Sequence, residues 1–439
     1  MADKNYLGAD FHLADDILLG DDFLRQLMSV GEVDLLVAIP TYNNATTVVQ
    51  AVQAIEDSYQ QNFVRDRVVI LNVDGGSIDH TSEAILNMNG RKAGAHRGIT
   101  SLRTVHRVTT QYGRSPSQGM ALRTVLAAAD LLRARSCAIV SPATTNLDPS
   151  WVANLLRPAY RQDFAFVAPL YSRSRFQGLL ARNLLYPMSR AVFGLRIREM
   201  YADEWGFSGR LATQCLSQNL WGDEAVRTRP EAWMAVSAIC SGMKCCQSFL
   251  GPKAPPPPGS GPDIVEAIRQ TVGNLFWCFE TFQEHWMDRT GTEAVPTFGS
   301  DHELTAEDAP SGQEKMFELF RSGVKGLNTV LPSILTADTY AQIKEIATLE
   351  GEKFHFGSDL WVRMLYEFAA SYHRTVIARD HILQALVPLY RGHLYSFLQE
   401  HRRSTPEEIE AGSEALCLEF ERQKPYLIER WKAKAEVKR

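Results

Sequence analysis

Twice between residues 33 and 81 the chain runs from an apolar stretch into a polar exit. Val33–Ile39 leads into Pro40-Thr41-Tyr42-Asn43-Asn44, and Val68–Val73 leads into Asp74-Gly75-Gly76-Ser77-Ile78-Asp79-His80-Thr81. Short apolar runs bounded by turn residues read as buried strands, and the helical stretch between them makes a βαβ unit. Its two exits open at the carboxyl ends of parallel strands, where α/β sheets bind ligands. Such a unit is the architecture of a nucleotide site. Neither G-x-G-x-x-G nor G-x-x-x-x-G-K-[ST] occurs in the chain, which excludes the usual dinucleotide fingerprint and the phosphate loop. Asp74 is placed instead to accept hydrogen bonds from a base or ribose, and Pro40 and Tyr42 offer a flat wall for a base.

With 439 residues the chain can bury a large core and divide into two parts. Its 46 basic and 51 acidic residues leave a net charge of -5, and no long basic run occurs, so small molecules are better partners than nucleic acid. The seven cysteines, at 137, 215, 240, 245, 246, 278 and 417, show no paired C-x-x-C spacing. They read as buried thiols in a reducing cytosol, not as a disulfide framework or a zinc site. No basic segment followed by an apolar one opens the chain, and no run approaches the ~20 apolar residues of a membrane span, so a cytoplasmic protein is expected.

Before the first strand, Leu13–Leu19 and Phe23–Met28 space apolar residues as an amphipathic helix does. Ser101–Val105 reads as a third strand, Met120–Leu132 as a helix, and Cys137–Val140 as a short buried strand leading into Ser141-Pro142-Ala143-Thr144-Thr145-Asn146. Phe164–Leu170 reads as another strand, and about Phe176 to Val192 as one long helix. The proline-rich Pro255–Pro262 marks a boundary, and beyond it the chain is helical and rich in aromatic residues. The expected organisation is a helical extension over 1–32, a nucleotide-binding α/β domain over 33–255, and a helical region over 263–439.

The first two exits resemble those of GT-A nucleotide-sugar glycosyltransferases, whose strands end like I-P-x-Y-N and V-x-D-G-G-S-x-D-x-T. Downstream the order of features is similar to the retaining synthases of mannosylglycerate, glucosylglycerate and glucosyl-3-phosphoglycerate. Ser115–Leu122 follows their R-P-G-K-G-x-A-L loop with Gln118 in place of the lysine, and Asn146–Trp151 echoes their N-P-x-P-x-W. Their P-L-G-G-E turn falls on Gly206–Arg210, with Arg210 where an acid is usual. An acid on the next helix corresponds to Glu231, and a late metal-binding histidine falls on Pro255. Their metal-binding D-x-D is here Ser141-Pro142-Ala143.

The resemblance implies a GT-A α/β fold with a helical C-terminal region, and a donor site made by Pro40, Tyr42, Asn43, Asp74, Gly76, Ser77, Arg114, Gln118 and Ser141. It implies a sugar or acceptor site around Asp203, Glu204, Trp205, Gly209 and Arg210, with Glu231 as an acid that orients the acceptor hydroxyl or acts as base. Both D-x-D aspartates, the histidine and the loop lysine are missing together, so no metal cofactor is expected, although Mg²⁺ or Mn²⁺ would be usual. In one reading a UDP-, GDP- or ADP-hexose is transferred without metal to a small hydroxy acid, with Arg114, Arg173, Arg175 or Lys253 as fixed cations. In another, the site is degenerate and only binds a nucleotide, a sugar or a protein partner. A third makes the C-terminal helices a scaffold for homo-oligomers, with Trp277, Phe279, Trp286 and Trp361 in the interface.

Overall fold

The computed structural model describes residues 19–92, 105–111, 117–254, 263–300, 313–349 and 351–433. Its strands are β1 (Leu35–Thr41), β2 (Val68–Asp74), β3 (Val105–Gln111), β4 (Ser136–Ile139), β5 (Phe166–Ser172), β6 (Leu195–Arg196), β7 (Trp205–Ser208), β8 (Cys245–Pro252), β9 (Glu293–Ala294) and β10 (Thr297–Phe298). Eight of them form one sheet in the order β10-β8-β5-β7-β4-β1-β2-β3. Neighbours run parallel except at β7, which is antiparallel to both β4 and β5. The short β6 and β9 pair separately.

Helices α1 (Asp21–Val30), α2 (Val48–Asn62), α3 (Thr81–Lys92), α4 (Gln118–Leu131) and α5 (Pro149–Gln162) alternate with the first strands. There follow α6 (Tyr186–Phe193), α7 (Gly209–Leu216), α8 (Glu224–Thr228), α9 (Pro230–Cys240), α10 (Ile264–Thr281) and α11 (Gln283–Trp286). The C-terminal part contains α12 (Gln313–Gly326), α13 (Leu331–Ile334), α14 (Ala337–Ile346), α15 (Ser358–Arg374), α16 (Arg379–Glu400) and α17 (Pro406–Lys432). This is the expected α/β architecture with a helical C-terminal region.

Period-two alternation explains why β1 is apolar throughout: both faces of the sheet are covered. Leu35, Val37 and Ile39 join one cluster with Val52 and Ile55 of α2 and Leu155 of α5. Leu36 and Ala38 join the other, with Leu122 and Val125 of α4 and Trp233 of α9. That second cluster continues without a break through Phe193 and Phe276 to Trp361 and Trp431, so the C-terminal helices share the core of the sheet. Polar contacts reinforce the joint. The fully buried Arg190 of α6 meets Glu414 and Glu421 of α17 at 2.6 and 2.7 Å, and the Trp361 indole donates to the Asn183 carbonyl at 3.0 Å.

Two expectations change. The long helix over 176–192 is a π turn, Ala181–Leu185, followed by α6. Pro187 has no N–H to continue the α ladder, and the chain widens just before it. The aromatic residues assigned to an oligomer interface are core instead: Phe279, Trp286 and Trp361 are fully buried and Trp277 is half-buried. All seven cysteines are free, and six are buried. Among the described residues no helix is long and apolar enough to cross a membrane.

Candidate active site

Strands β1, β2 and β3 step one way across the sheet, and β4 lies on the other side of β1. At such a reversal the exit loops diverge and leave a crevice at the carboxyl ends, here between the exits of β1 and β4.

The β1 and β2 exits are knitted into one surface. Asn43 N donates to Ser77 Oγ at 2.8 Å, Ile78 N to Asn43 Oδ1 at 3.0 Å, and Ala45 N to Asp79 Oδ2 at 2.9 Å. Asn43 adopts φ 55° and Gly76 φ 86°, left-handed conformations that asparagine and glycine tolerate best. Asp74 is 1% exposed and its oxygens are engaged inside the loop. It accepts from Thr41 Oγ1 (2.8 Å), Ser77 Oγ (2.6 Å), Gly76 N (3.0 Å) and Ser77 N (2.7 Å). The role foreseen for it, accepting from base or ribose, is therefore replaced by holding the loop that would. Tyr42, 53% exposed beside the half-buried Pro40, presents its ring to solvent at the β1 exit.

Two strands away lies an ion cluster. Lys253, just past β8, donates to Asp203 Oδ2 at 2.7 Å and Glu204 Oε2 at 2.8 Å. Glu204 is fully buried and also accepts from the hydroxyls of Thr144 and Tyr171, while the ammonium lies 5.0 Å from the centre of the Tyr171 ring. Burial alone would lower the pKa of Lys253, but Glu204 and Asp203 outweigh it and raise it. Burial likewise favours a neutral Asp203, yet Lys253 holds its pKa below the ordinary carboxylate value. Asn146 staples the β4 exit to the β8 exit, donating to the Pro252 carbonyl at 2.6 Å and accepting from Ala254 N at 3.0 Å.

Glu231 opens α9 behind this cluster and is 2% exposed. Arg229 Nε lies 3.0 Å from its Oε1, but neither carboxylate oxygen has a hydrogen bond of good geometry among the described residues. Burial pushes this carboxyl up to about 7 against the pull of Arg229. Both Arg229 and Glu231 act electrostatically on their surroundings, Arg229 lowering the pKa of Asp203 and Asp203 raising that of Glu231. At 2% exposure, with Arg229 as its ion-pair partner, Glu231 lies behind the surface and does not reach it as a group that contacts the acceptor would.

Beyond β5 opens a cleft of about 790 Å³ lined by Arg173, Arg175, Arg182, Arg198, Glu199 and Glu410, among others. Arg173 Nε and Nη2 bind Glu199 at 2.5 and 3.0 Å, and Arg198 forks onto Glu410. Arg182, carried by the π turn, donates to the Arg175 carbonyl at 3.1 Å and forms no ion pair among the described residues. Burial lowers its pKa, and Arg198 and Arg173 add to this against Glu410. Arg173 and Arg175 stood out in the sequence as possible fixed cations, but the cleft itself did not, because its walls come from residues 170–199, from β8 and β10, and from α17, more than 200 positions after β5.

The site expected from the sequence is thus brought together in part. Pro40, Tyr42, Asn43, Gly76 and Ser77 share one surface, and Asp203 and Glu204 share the ion cluster with the half-buried Ser141 nearby on the β4 exit. Gln118 is exposed at the start of α4. Trp205 is 7% exposed in the core, and its indole N–H has no hydrogen-bond partner among the described residues. Gly209 and Arg210 do not belong to the site. Because β7 runs antiparallel, it carries them to the amino ends of the parallel strands, where Gly209 N donates to the Arg135 carbonyl and Arg210 pairs with Asp163. The acid on the ligand side of that turn is Glu204. Arg114 and Pro255–Pro262 lie outside the described residues.

A divalent metal does not fit these residues. Ser141-Pro142-Ala143 at the β4 exit offers no carboxylate, and Asp203 and Glu204 already hold an ammonium. Among the described residues, no three His, Cys, Asp or Glu side chains converge as metal ligands.

The architecture is that of an α/β protein with a crevice at the switch point of its sheet. In fold the chain is similar to structures of glucosyl-3-phosphoglycerate synthase from Mycobacterium tuberculosis. The complex with phosphoglyceric acid is 15% identical over 60% of this chain and 84% of that one, with a TM-score of 0.41. The complex with Mn²⁺ and UDP-glucose is 15% identical over 59% and 83%, again with a TM-score of 0.41. No family model matches the chain, and no curated protein does. A likeness this distant leaves the functional reading to rest on the site itself.

Proposed function

We propose that the protein transfers a hexose from a nucleotide sugar to a small hydroxy-acid acceptor such as glycerate, with retention at the anomeric carbon and without a metal ion. The observation that carries this reading is the placing of three features along one edge of the sheet: Tyr42 and Pro40 at β1, the carboxylates of the ion cluster at the start of β7, and the arginine cleft at β5. The order β5-β7-β4-β1 puts three inter-strand steps between β1 and the cleft, about 14 Å at the usual strand spacing. A nucleoside diphosphate bridges such a span.

Tyr42 and Pro40 then face the base, and Asn43, Gly76 and Ser77 shape the loop beneath it. Arg182, with donors to spare and low hydration, receives the carboxylate of the acceptor. The acceptor hydroxyl oxygen bonds to the anomeric carbon as the bond to the diphosphate breaks, and the hydroxyl proton leaves with the diphosphate.

One observation favours the second reading, a binding protein without turnover: the cluster sets one ammonium against two carboxylates, little positive charge for a leaving diphosphate. Calorimetric titration with UDP, GDP, ADP and their glucose and mannose conjugates, in EDTA and in Mn²⁺, followed by product analysis with glycerate and phosphoglycerate, separates the two. Binding of one nucleotide sugar regardless of EDTA, with product formed, supports the transferase. Binding with no product on any hydroxy acid supports the degenerate reading, and no binding at all overturns both.

A further inference from the structure

We propose that the Lys253 cluster is a cation site filled by the protein's own side chain, in which the ε-ammonium takes the place of a divalent metal. Asp203 Oδ2 and Glu204 Oε2 converge on one nitrogen at 2.7 and 2.8 Å. These oxygens are therefore close enough to each other to share an ion of the size of Mn²⁺ or Mg²⁺, which binds oxygen at about 2.0–2.2 Å. Around them stand the oxygen groups that fill a hard-cation shell, the Thr144 and Tyr171 hydroxyls, both bonded to Glu204. Glu204 is fully buried and Lys253 is 15% exposed, so the ammonium compensates a carboxylate that water does not reach.

The position is not accidental to the fold. Asn146 bonds to the backbone on both sides of Lys253, which fixes the stem, and Tyr171 lies under the ammonium. An ammonium offers three N–H donors; Asp203 and Glu204 take two, and one remains for a ligand oxygen. A point charge on a carbon stem is present at every metal concentration and cannot be removed by chelation. Its bearing on a donor diphosphate rests on the transferase reading, but the nature of the site does not.

The experiment removes the ammonium and asks whether metal takes its place. Mn²⁺ is titrated, with no nucleotide present, into the wild-type full chain, Lys253→Ala and Lys253→Met, following free Mn²⁺ by electron paramagnetic resonance and thermal unfolding in parallel. Wild type is expected to bind no Mn²⁺ at this site, and its midpoint to ignore the metal. Lys253→Ala is expected to bind one Mn²⁺ at least 100-fold more tightly and to regain thermal stability as it loads, an effect lost when Glu204→Gln is added. Lys253→Met preserves the packing over Tyr171 and is expected to gain the same binding if the alanine variant does not fold. Two folded variants that bind Mn²⁺ no better than wild type would overturn the inference. So would a wild-type site that binds Mn²⁺ and loses it on Asp203→Asn. Neither result depends on catalysis, so failure here leaves the transferase reading to its own test.

Discussion

Replacing Glu231 with Gln keeps the shape of the side chain and removes a buried carboxylate that has no hydrogen bond of good geometry among the described residues. Burial raises this carboxyl from 4.5 to about 7, against the attraction of Arg229. In the unfolded chain the group loses its proton near 4.5, and in the native chain it holds it until about 7. Across that window the native state binds more protons than the unfolded one, so its stabilising effect is complete below pH 4.5 and is lost as pH rises through 7. At about 1.4 kcal/mol for each pH unit, the wild-type chain gives up about 3 kcal/mol by pH 8 relative to acid conditions. A glutamine carries no such cost. Glu231→Gln is therefore expected to be near-neutral at pH 5 and to stabilise by about 2 to 3 kcal/mol at pH 8. Urea unfolding of both proteins at pH 5, 6, 7 and 8 measures the difference directly, provided the m-values agree. A stability difference that is flat over this range, or a variant less stable at pH 8, would refute the claim that this carboxyl is strained by burial.

His393 has the opposite sign. Buried and stacked 4.1 Å from Trp361, it is held neutral, its pKa pushed down from 6.5 to about 3 mainly by burial. Its stabilising effect is present above pH 6.5 and is lost as pH falls towards 3, about 2 kcal/mol by pH 5; His393→Phe, measured against wild type by urea unfolding at pH 7.5 and 5, is expected to abolish that loss, and an unchanged pH slope would refute it. Asp74→Ala releases four hydrogen bonds inside the β1–β2 surface and is expected to cost about 3 to 5 kcal/mol and abolish nucleotide binding; a loss under 1 kcal/mol in thermal or urea unfolding would show that it does not hold the loop. Gly206→Ala places a Cβ 2.2 Å from the Leu155 carbonyl of α5 and is expected to destabilise by about 1 to 3 kcal/mol or more, whereas Gly222→Ala, with nothing within 4 Å, is expected to be nearly neutral in the same assay.

What the sequence determined by itself was local in cause. A run such as Leu35–Ile39 is apolar at every position because each face of its strand is buried, and Asn43 and Gly76 stand where the backbone turns left-handed. Such preferences act over a few residues, so the βαβ unit and the loops at its carboxyl ends could be seen before any tertiary contact was known. The sequence could also show which charged residues the chain holds, but not which of them meet.

That was decided by the tertiary structure. Lys253 is 50 positions from Asp203 and 109 from Thr144, and they meet only because the fold brings the exits of β4 and β8 together, where Asn146 joins them. The antiparallel course of β7 puts Glu204 on the ligand side and sends Arg210 to the other end, a strand direction that the residues Trp205–Ser208 do not encode. Asp74 looked like a ligand for a ribose because its type and place suited one, and its neighbours in space used up its oxygens. Glu231 became a carboxyl with a raised pKa only when α9 and α10 closed over it. Charge, burial and hydrogen bonding depend on distance in space, and for residues far apart in the chain the fold alone sets that distance.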